Sequence, residues 1–380
     1  MANHQSFKIF TSSAQLPPDW DTVAKGNIFL SQAYLSVLEQ SAPNNMECHF
    51  IGLYSNSILR GVALAQYIDL SRIDTFVAKR KKLSVKDYLF KKLSSHIIVA
   101  GNNMLTGQNA YLLGEGIDEI TALNLIRLAM DDLKRSYRSK GICINLLSIK
   151  DFNDDEFPDF EAAGFKGYFK FCTQPNMIFS IRENWATAED YIADMNTKYR
   201  TQYNRARKKA EGVTKRQLNL EDIKIQENRI HTLYMTVAGN ASFNTFHLPR
   251  DHFYIFKQEL REDFLFYGYF IDGKLVGFNT LIKNGPDIDT YFLGYDDAVQ
   301  KEKMLYLNML YDMAGYAIKE KFKHVIFARS AMEIKSSIGA ISEDVYGIIK
   351  HTNPTLNRFM ERLFNYFEPK IEWKERSPFK

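Results

Sequence analysis

Two hairpins built to one plan constrain the fold of this chain more than any other feature. Residues 50–70 read FIGLYSNSILRGVALAQYIDL and residues 264–283 read FLFYGYFIDGKLVGFNTLIK. Gly52 and Gly61 are nine residues apart, as are Gly268 and Gly277. An aromatic residue follows the first glycine by two positions (Tyr54, Phe270), and a leucine precedes the second by two (Leu59, Leu275). Asp272-Gly273 is a type I′ turn dipeptide, and Ser55-Asn56-Ser57 reads as a looser turn. Hairpins are common, so the pairing gains its force from what flanks it.

The flanking order repeats as well. After each hairpin comes a strand ending in an apolar-Leu-Gly step, AYLLGEG at 110–116 and TYFLGYD at 290–296. A long amphipathic pattern follows, ITALNLIRLAMDDLKRSY at 120–137 and MLYLNMLYDMAGYAIKEK at 304–321, and then an apolar strand at 142–149 or 324–329. Helical stretches precede each hairpin, around 30–40 and around 185–260. Each half therefore predicts an α/β unit, a mixed sheet with helices on its faces. The first half closes with a helix end at Gly164 and two short strands. The expected domains are 1–181 and 182–380, with NWATAEDYIADM opening the second.

Length and composition agree with two ordinary domains. The chain has 380 residues, 45% hydrophobic and 25% charged, enough for two cores. No run approaches the roughly 20 apolar residues of a membrane span. MANHQSFKIF has no basic region followed by an apolar one, so no secretory signal is expected. Cys48, Cys143 and Cys172 are distant and odd in number, against a disulfide framework and for the cytoplasm. The formal net charge of +4 is too small to imply a nucleic-acid partner by itself.

The element order resembles the GNAT superfamily of N-acyltransferases. Its doubling resembles the Fem-type aminoacyltransferases and their FemAB-like and CelD-like relatives. The segment KYRTQYNRARKKAEGV, 198–213, resembles the Lys/Thr-x-Arg…Asn-x-Arg-x-Ala…Lys-x-Gly-Val helix end of the Fem group. The resemblance implies two tandem GNAT-like domains. It also implies an acyl-CoA or acyl-carrier-protein co-substrate, with no permanently bound cofactor. The chain departs from the pattern where GNAT domains hold the coenzyme A pyrophosphate on a glycine-rich helix start. In the first half, Glu115, Asp118 and Glu119 crowd that start and already satisfy the helix dipole. The first domain is therefore expected not to bind a donor. The second half has Gln300-Lys301-Glu302-Lys303-Met304 with no glycine; Lys301 and Lys303 either neutralise phosphates or stand as solvated loop lysines.

Two segments of the second half carry candidate chemistry. The stretch Tyr191–Gly212 reads as one helix with an apolar stripe at Ile192, Met195, Tyr199, Tyr203, Ala206 and Ala210. Lys198, Arg200, Arg205, Arg207, Lys208 and Lys209 stand around it with no acid between 198 and 209, a surface for phosphate or a nucleotide, or else a solvated face. The stripe leaves Arg205, Arg207 and Lys208 clear of the packing. The strand end at Phe327-Ala328-Arg329-Ser330 is followed by Glu333 and Lys335. There Glu333 reads as a general base for an amine, Arg329 or Lys335 as a binder of an acceptor carboxylate or an oxyanion, and Tyr295 and Tyr346 as general acids. A structural ion cluster is the competing reading.

Other signals exclude classes. His231, His247, His252 and His351 have no metal-ligand spacing, and no HExxH or CxxC occurs, so no metal is expected. There is no GxSxG elbow or Walker loop. From Gly61 to Gly114 is 53 residues, against 17 from Gly277 to Gly294. The excess includes a basic amphipathic stretch, 79–93, suited to an anionic membrane surface or an acidic carrier protein. The expected activity is transfer of an acyl group from an activated donor to a primary amine, in the cytoplasm or at the inner membrane face. The alternatives are a Fem-type transferase using aminoacyl-tRNA to build cell-wall precursors, and a binding module that keeps the fold without the chemistry.

Overall fold

The computed structural model describes residues 4–72, 94–172, 174–240, 244–362 and 373–379. The basic stretch 79–93 lies outside them. Strands run in chain order as β1 (Gln5–Phe10), β2 (Met46–Ser55), β3 (Ile58–Asp69), β4 (His96–Ala100), β5 (Tyr111–Leu113), β6 (Leu146–Phe152), β7 (Phe169–Cys172) and β8 (Asn176–Ser180). They continue as β9 (Thr214–Gln217), β10 (Phe264–Ile271), β11 (Lys274–Asn284), β12 (Asp287–Tyr295), β13 (His324–Ala328), β14 (Ile341–Glu343) and β15 (Tyr346–His351). Two mixed sheets result, ordered β1-β2-β3-β4-β6-β15-β7, with β5 on β3, and β14-β8-β13-β12-β11-β10-β9.

The repeated hairpins occupy equivalent places, β2–β3 and β10–β11, and their shared residues have one physical reason. Both contain the same bulge: Leu53 faces Gly61 and Tyr54 faces Leu59, as Tyr269 faces Gly277 and Phe270 faces Leu275. The aromatic ring and the leucine fold over the first glycine of each. A Cβ on Gly52 would lie 2.9 Å from Tyr54 and 3.0 Å from Leu59; one on Gly268 would lie 2.8 Å from Phe270 and 3.0 Å from Leu275. Both turns have two residues in the left-handed region, Asn56 and Ser57 (φ 51° and 65°) and Asp272 and Gly273 (φ 48° and 75°). The turn expected to be looser is as tight as its partner, and both are type I′.

The Leu-Gly steps are not equivalent. Leu113 pairs with Gly61, but Tyr295 pairs with Gly277, and the N–H groups of Gly114 and Asp296 bond Arg60 and Val276 respectively. Gly114 thus corresponds to Asp296, two residues past Gly294. Gly294 serves a different contact: a Cβ there would lie 2.6 Å from the backbone of Leu233 and Tyr234, in the helix Leu220–Asn240.

One compact unit comprises Met1–Thr173, Phe243–Pro249 and Asp344–Lys370; the other comprises Gln174–Ser242, Arg250–Glu343 and Ile371–Lys380. Each sheet receives a strand from the other half of the chain. β15 inserts between β6 and β7, and β8 between β13 and β14. In the first unit the helix Glu119–Ser139 buries Leu123, Ile126, Met130 and Leu133 among residues of β2, β3 and β6. In the second, Leu305–Lys319 buries Leu310, Met313, Ala314 and Ala317 in a core shared with β10–β13. No helix among the described residues is long and apolar enough to cross a membrane.

Candidate active site

The second sheet opens at one place. β12 and β13 run parallel and pair only through Asp287–His324, Ile288–Val325 and Asp289–Ile326. Beyond that fork β12 continues to Tyr295 against β11, and β13 to Ala328 against β8. The strands part at their C-terminal ends, the place where open parallel sheets receive ligands. At the fork the Thr290 hydroxyl donates to the Ile326 carbonyl at 3.1 Å. Just past it β12 bulges: Leu281 faces Thr290 and Asn279 faces Leu293, so Tyr291 and Phe292 stand opposite the single residue Thr280. The Thr280 hydroxyl takes the displaced carbonyl of Phe292 at 2.6 Å. Bulges commonly re-aim a strand beside a site.

The other wall of the slot is a strained turn tied from below. Ala328, Ser330 and Ala331 have φ of 56°, 68° and 48°, a region costing about 1 kcal/mol or more for a residue with a Cβ. Lys335 is buried in the short helix Met332–Ser336. Its Nζ donates to the carbonyls of Phe327 (2.6 Å), Ala328 (3.2 Å) and Arg329 (2.7 Å). An ammonium has three donors and no acceptor, so the three carbonyls complete it. Burial pushes Lys335 down to about 7, while the carbonyls favour its charged form. Arg329 is half-buried at the same turn.

Glu333 lies on that short helix, its side chain half exposed. Both bonds it receives come from Arg376 and both fall on Oε1: Nε donates at 3.0 Å and Nη2 donates as well. Tyr295, at the end of β12, is half-buried with its ring 6.3 Å from that of Tyr306. Burial, then the Asp297 carboxylate, pushes its phenol up. Tyr346 belongs to the first unit, where it pairs with Phe152 and Cys172 and carries the Lys170 ammonium 4.5 Å above its ring.

The segment between β12 and the long helix forms its own short helix, Asp297–Lys303, closed by Met304 at φ 50°. The Gln300 side chain accepts from the Tyr306 N–H at 3.3 Å, and buried Asn308 ties the start of Leu305–Lys319 to the Ala206 carbonyl at 3.0 Å. Lys301 is exposed. Lys303 Nζ donates to the Glu211 carbonyl at 3.3 Å, which brings this loop to the end of the basic helix.

The basic segment is two helices, not one. Ala188–Asp194 ends at Met195, whose extended backbone (ψ 149°) passes the chain to Asn196, the cap of Thr197–Lys209. Arg200 donates to the carbonyls of Met195 and Ala193, the latter at 3.3 Å, and so seals the break. Arg207 also turns inward. It meets Asp312 at 2.8 Å and Asn308 at 3.2 Å, below the Tyr269 hydroxyl that donates to Asp312 at 2.9 Å. The expectation that Arg207 stands clear of the packing is corrected, because a half-buried acid on the neighbouring helix claims it. Lys198, Arg205, Lys208 and Lys209 remain exposed.

Sequence reasoning missed Asp312, Asn308 and Arg376. The first two carried a signal, two polar residues four apart within the apolar run MLYLNMLYDMAGYA. Arg376 has no local signal, since its partner is 43 residues away. Among the described residues, no cluster of His, Cys, Asp and Glu could hold a metal ion.

No family model matches the chain, and no curated protein matches it in sequence. Solved structures do match. FemX superposes with a TM-score of 0.55 at 11% identity, over 95% of this chain and 100% of that one. A tandem GNAT protein of the clavulanic acid pathway gives 0.53 at 10%, over 92% and 99%. A domain from Agrobacterium fabrum, described as the C-terminal part of a lysylphosphatidylglycerol synthetase, gives 0.51 at 9%, over 93% and 97%. The chain has a tandem GNAT, Fem-like fold.

Proposed function

We propose that this tandem GNAT-fold chain is an N-acyltransferase whose second unit moves an acyl group from an activated thioester to a primary amine. The slot between β12 and β13 carries the reading. It is formed in the chain by the fork at Asp289–Ile326, the bulge at Tyr291–Phe292 and the turn held by Lys335. The donor's acyl arm lies in the slot, and any phosphates it carries meet Lys301, Lys303, Arg205 and Lys208.

The amine nitrogen attacks the thioester carbonyl carbon, and Glu333 takes the amine proton through Oε2. The carbon–sulfur bond breaks, and the leaving thiolate takes a proton from Tyr295. Lys335 has all three N–H groups engaged, so it acts through the positive field it holds beneath the developing oxyanion. Arg329, at the slot's mouth, binds the acceptor's carboxylate. The first unit has no part in donor binding, because Glu115, Asp118 and Glu119 stand at its helix start and Asp118 already caps the Thr121 N–H at 2.9 Å.

The four exposed cations of the basic helix favour a second reading, transfer from aminoacyl-tRNA. Release of free thiol from acetyl-coenzyme A in the presence of ethanolamine tests the first. Turnover with aminoacyl-tRNA that ribonuclease abolishes supports the second. A chain inert to both is a binding module.

A further inference from the structure

We infer that Arg376, near the end of the chain, is the positioning residue that aims Glu333 at the amine; the inference rests on the reading of Glu333 as the proton acceptor. The guanidinium does not form a fork across the carboxylate. Its Nε and Nη2 converge on Oε1, with Nε at 3.0 Å. A two-oxygen fork would occupy both acceptors. Here one oxygen is anchored and rotation of the carboxyl group is fixed. Oε2 accepts no hydrogen bond from the described residues.

The anchor is itself anchored, on both sides. The Arg376 backbone N–H donates at 3.0 Å to Oγ of Ser336, one helical turn beyond Glu333, and that hydroxyl donates at 3.0 Å to the Glu333 carbonyl. Ser336 is fully buried. Three residues on, the Phe379 ring lies 5.2 Å from Trp185 and 6.0 Å from Tyr191, with the Arg182 guanidinium 4.3 Å from its centre. Its ring edge lies against Gly339, whose place no residue with a Cβ could take without moving it. Asn196 then fixes the backbone, its N–H donating to the Pro378 carbonyl at 2.7 Å and its amide to the Phe379 carbonyl at 2.9 Å.

The segment 373–379 is thus strapped across the second unit by an aromatic plug and backbone bonds. The ion pair is not what holds it down. A partly exposed ion pair adds little to stability, because water screens it. What Arg376 does contribute is orientation, and misplacing a reacting group by about 1 Å can cost on the order of 10²-fold in rate.

The test uses the full chain with acetyl-coenzyme A and ethanolamine, following thiol release. Arg376→Gln should lower kcat about 10- to 100-fold, with KM for the thioester within about twofold and an unchanged melting temperature. Arg376→Lys should recover part of the loss, and added guanidinium should rescue Arg376→Ala. In a Glu333→Gln background, Arg376→Gln should change nothing further, since two residues acting as one unit are not additive. A normal Arg376→Gln enzyme, or equal losses in both backgrounds, overturns the inference while leaving Glu333 in place. A fully active Glu333→Gln enzyme, or a wild type that turns over no thioester, removes the underlying reading and Arg376's role with it.

Discussion

Lys335 donates to the carbonyl oxygen of Phe327 at 2.6 Å, from beneath the strand end that walls the slot. The same ammonium reaches Ala328 and Arg329, so one side chain holds a turn in which three residues sit in the left-handed region. Strain of that kind persists only where surrounding structure imposes it. Lys335→Met removes the imposing group and its three hydrogen bonds. Unfolding by denaturant should report a loss of roughly 2–4 kcal/mol, a few lost bonds' worth. Burial brings Lys335 to about 7, so the charge under the slot disappears as pH rises through that value. Turnover should therefore carry an alkaline limb near pH 7, and a wild-type profile flat from pH 6 to 9 would contradict this role.

The basic helix separates into two kinds of cation. Arg207→Glu sets a second acid against Asp312, with which Arg207 now pairs at 2.8 Å, and should cost about 2 kcal/mol. Arg205→Glu and Lys208→Glu touch exposed positions and should stay within about 0.5 kcal/mol. Affinity for a phosphate-rich partner should behave oppositely, falling with the second pair and falling in wild type with added salt. Affinity for tRNA, measured at two salt concentrations, decides it; equal values throughout leave a solvated face.

His49 makes the first unit sensitive to acid. The Tyr137 hydroxyl donates to Glu47 at 2.7 Å, so His49 Nε2, at 2.7 Å, must donate to Tyr137. Its Nδ1 is then a buried lone pair without a partner among the described residues. Burial pushes the imidazole down to about 4. The unfolded chain binds a proton at about 6.5 and the folded one does not, so stability is intact above pH 6.5 and is lost as pH falls towards 4. The loss is on the order of 3 kcal/mol. His49→Gln should flatten the pH dependence of the denaturation midpoint, and an unchanged slope would exclude His49 as its source.

Asn279 is buried in β11 between Tyr267 and Leu293, and neither amide atom has a hydrogen-bond partner among the described residues. Each unmet group costs about 1–3 kcal/mol, so Asn279→Leu should raise stability despite changing a fully buried position. A lower melting temperature would mean that the amide is bonded in solution.

What the sequence made legible follows from local contacts. The hairpin signature was readable because Tyr54 and Leu59, or Phe270 and Leu275, pack on a glycine within the same hairpin. The strand exchange was not, because the apolar patterns of 176–180 and 346–351 suit either sheet and nothing in them names a neighbour. The break at Met195–Asn196 contains no glycine or proline; what fixes Asn196 is the carbonyl of Pro378, far along the chain. Arg207 misled for the same reason, since the stripe placed it among solvated cations while Asp312 lies 105 residues on. At the slot, the residue types Glu333, Arg329 and Lys335 were readable at a strand end. Their contacts were not, because Lys335 bonds backbone carbonyls and Glu333 pairs with the distant Arg376.

We propose acyl transfer at the β12–β13 slot with Glu333 as proton acceptor. Its most direct test is kcat for acetyl transfer to ethanolamine by Glu333→Gln, with N-acetylated product counted by mass. The substitution keeps size and hydrogen bonding and removes the base. A fall of about 10²–10⁴-fold is expected, with the melting temperature unchanged. Product formed at the wild-type rate by a folded Glu333→Gln enzyme would contradict it.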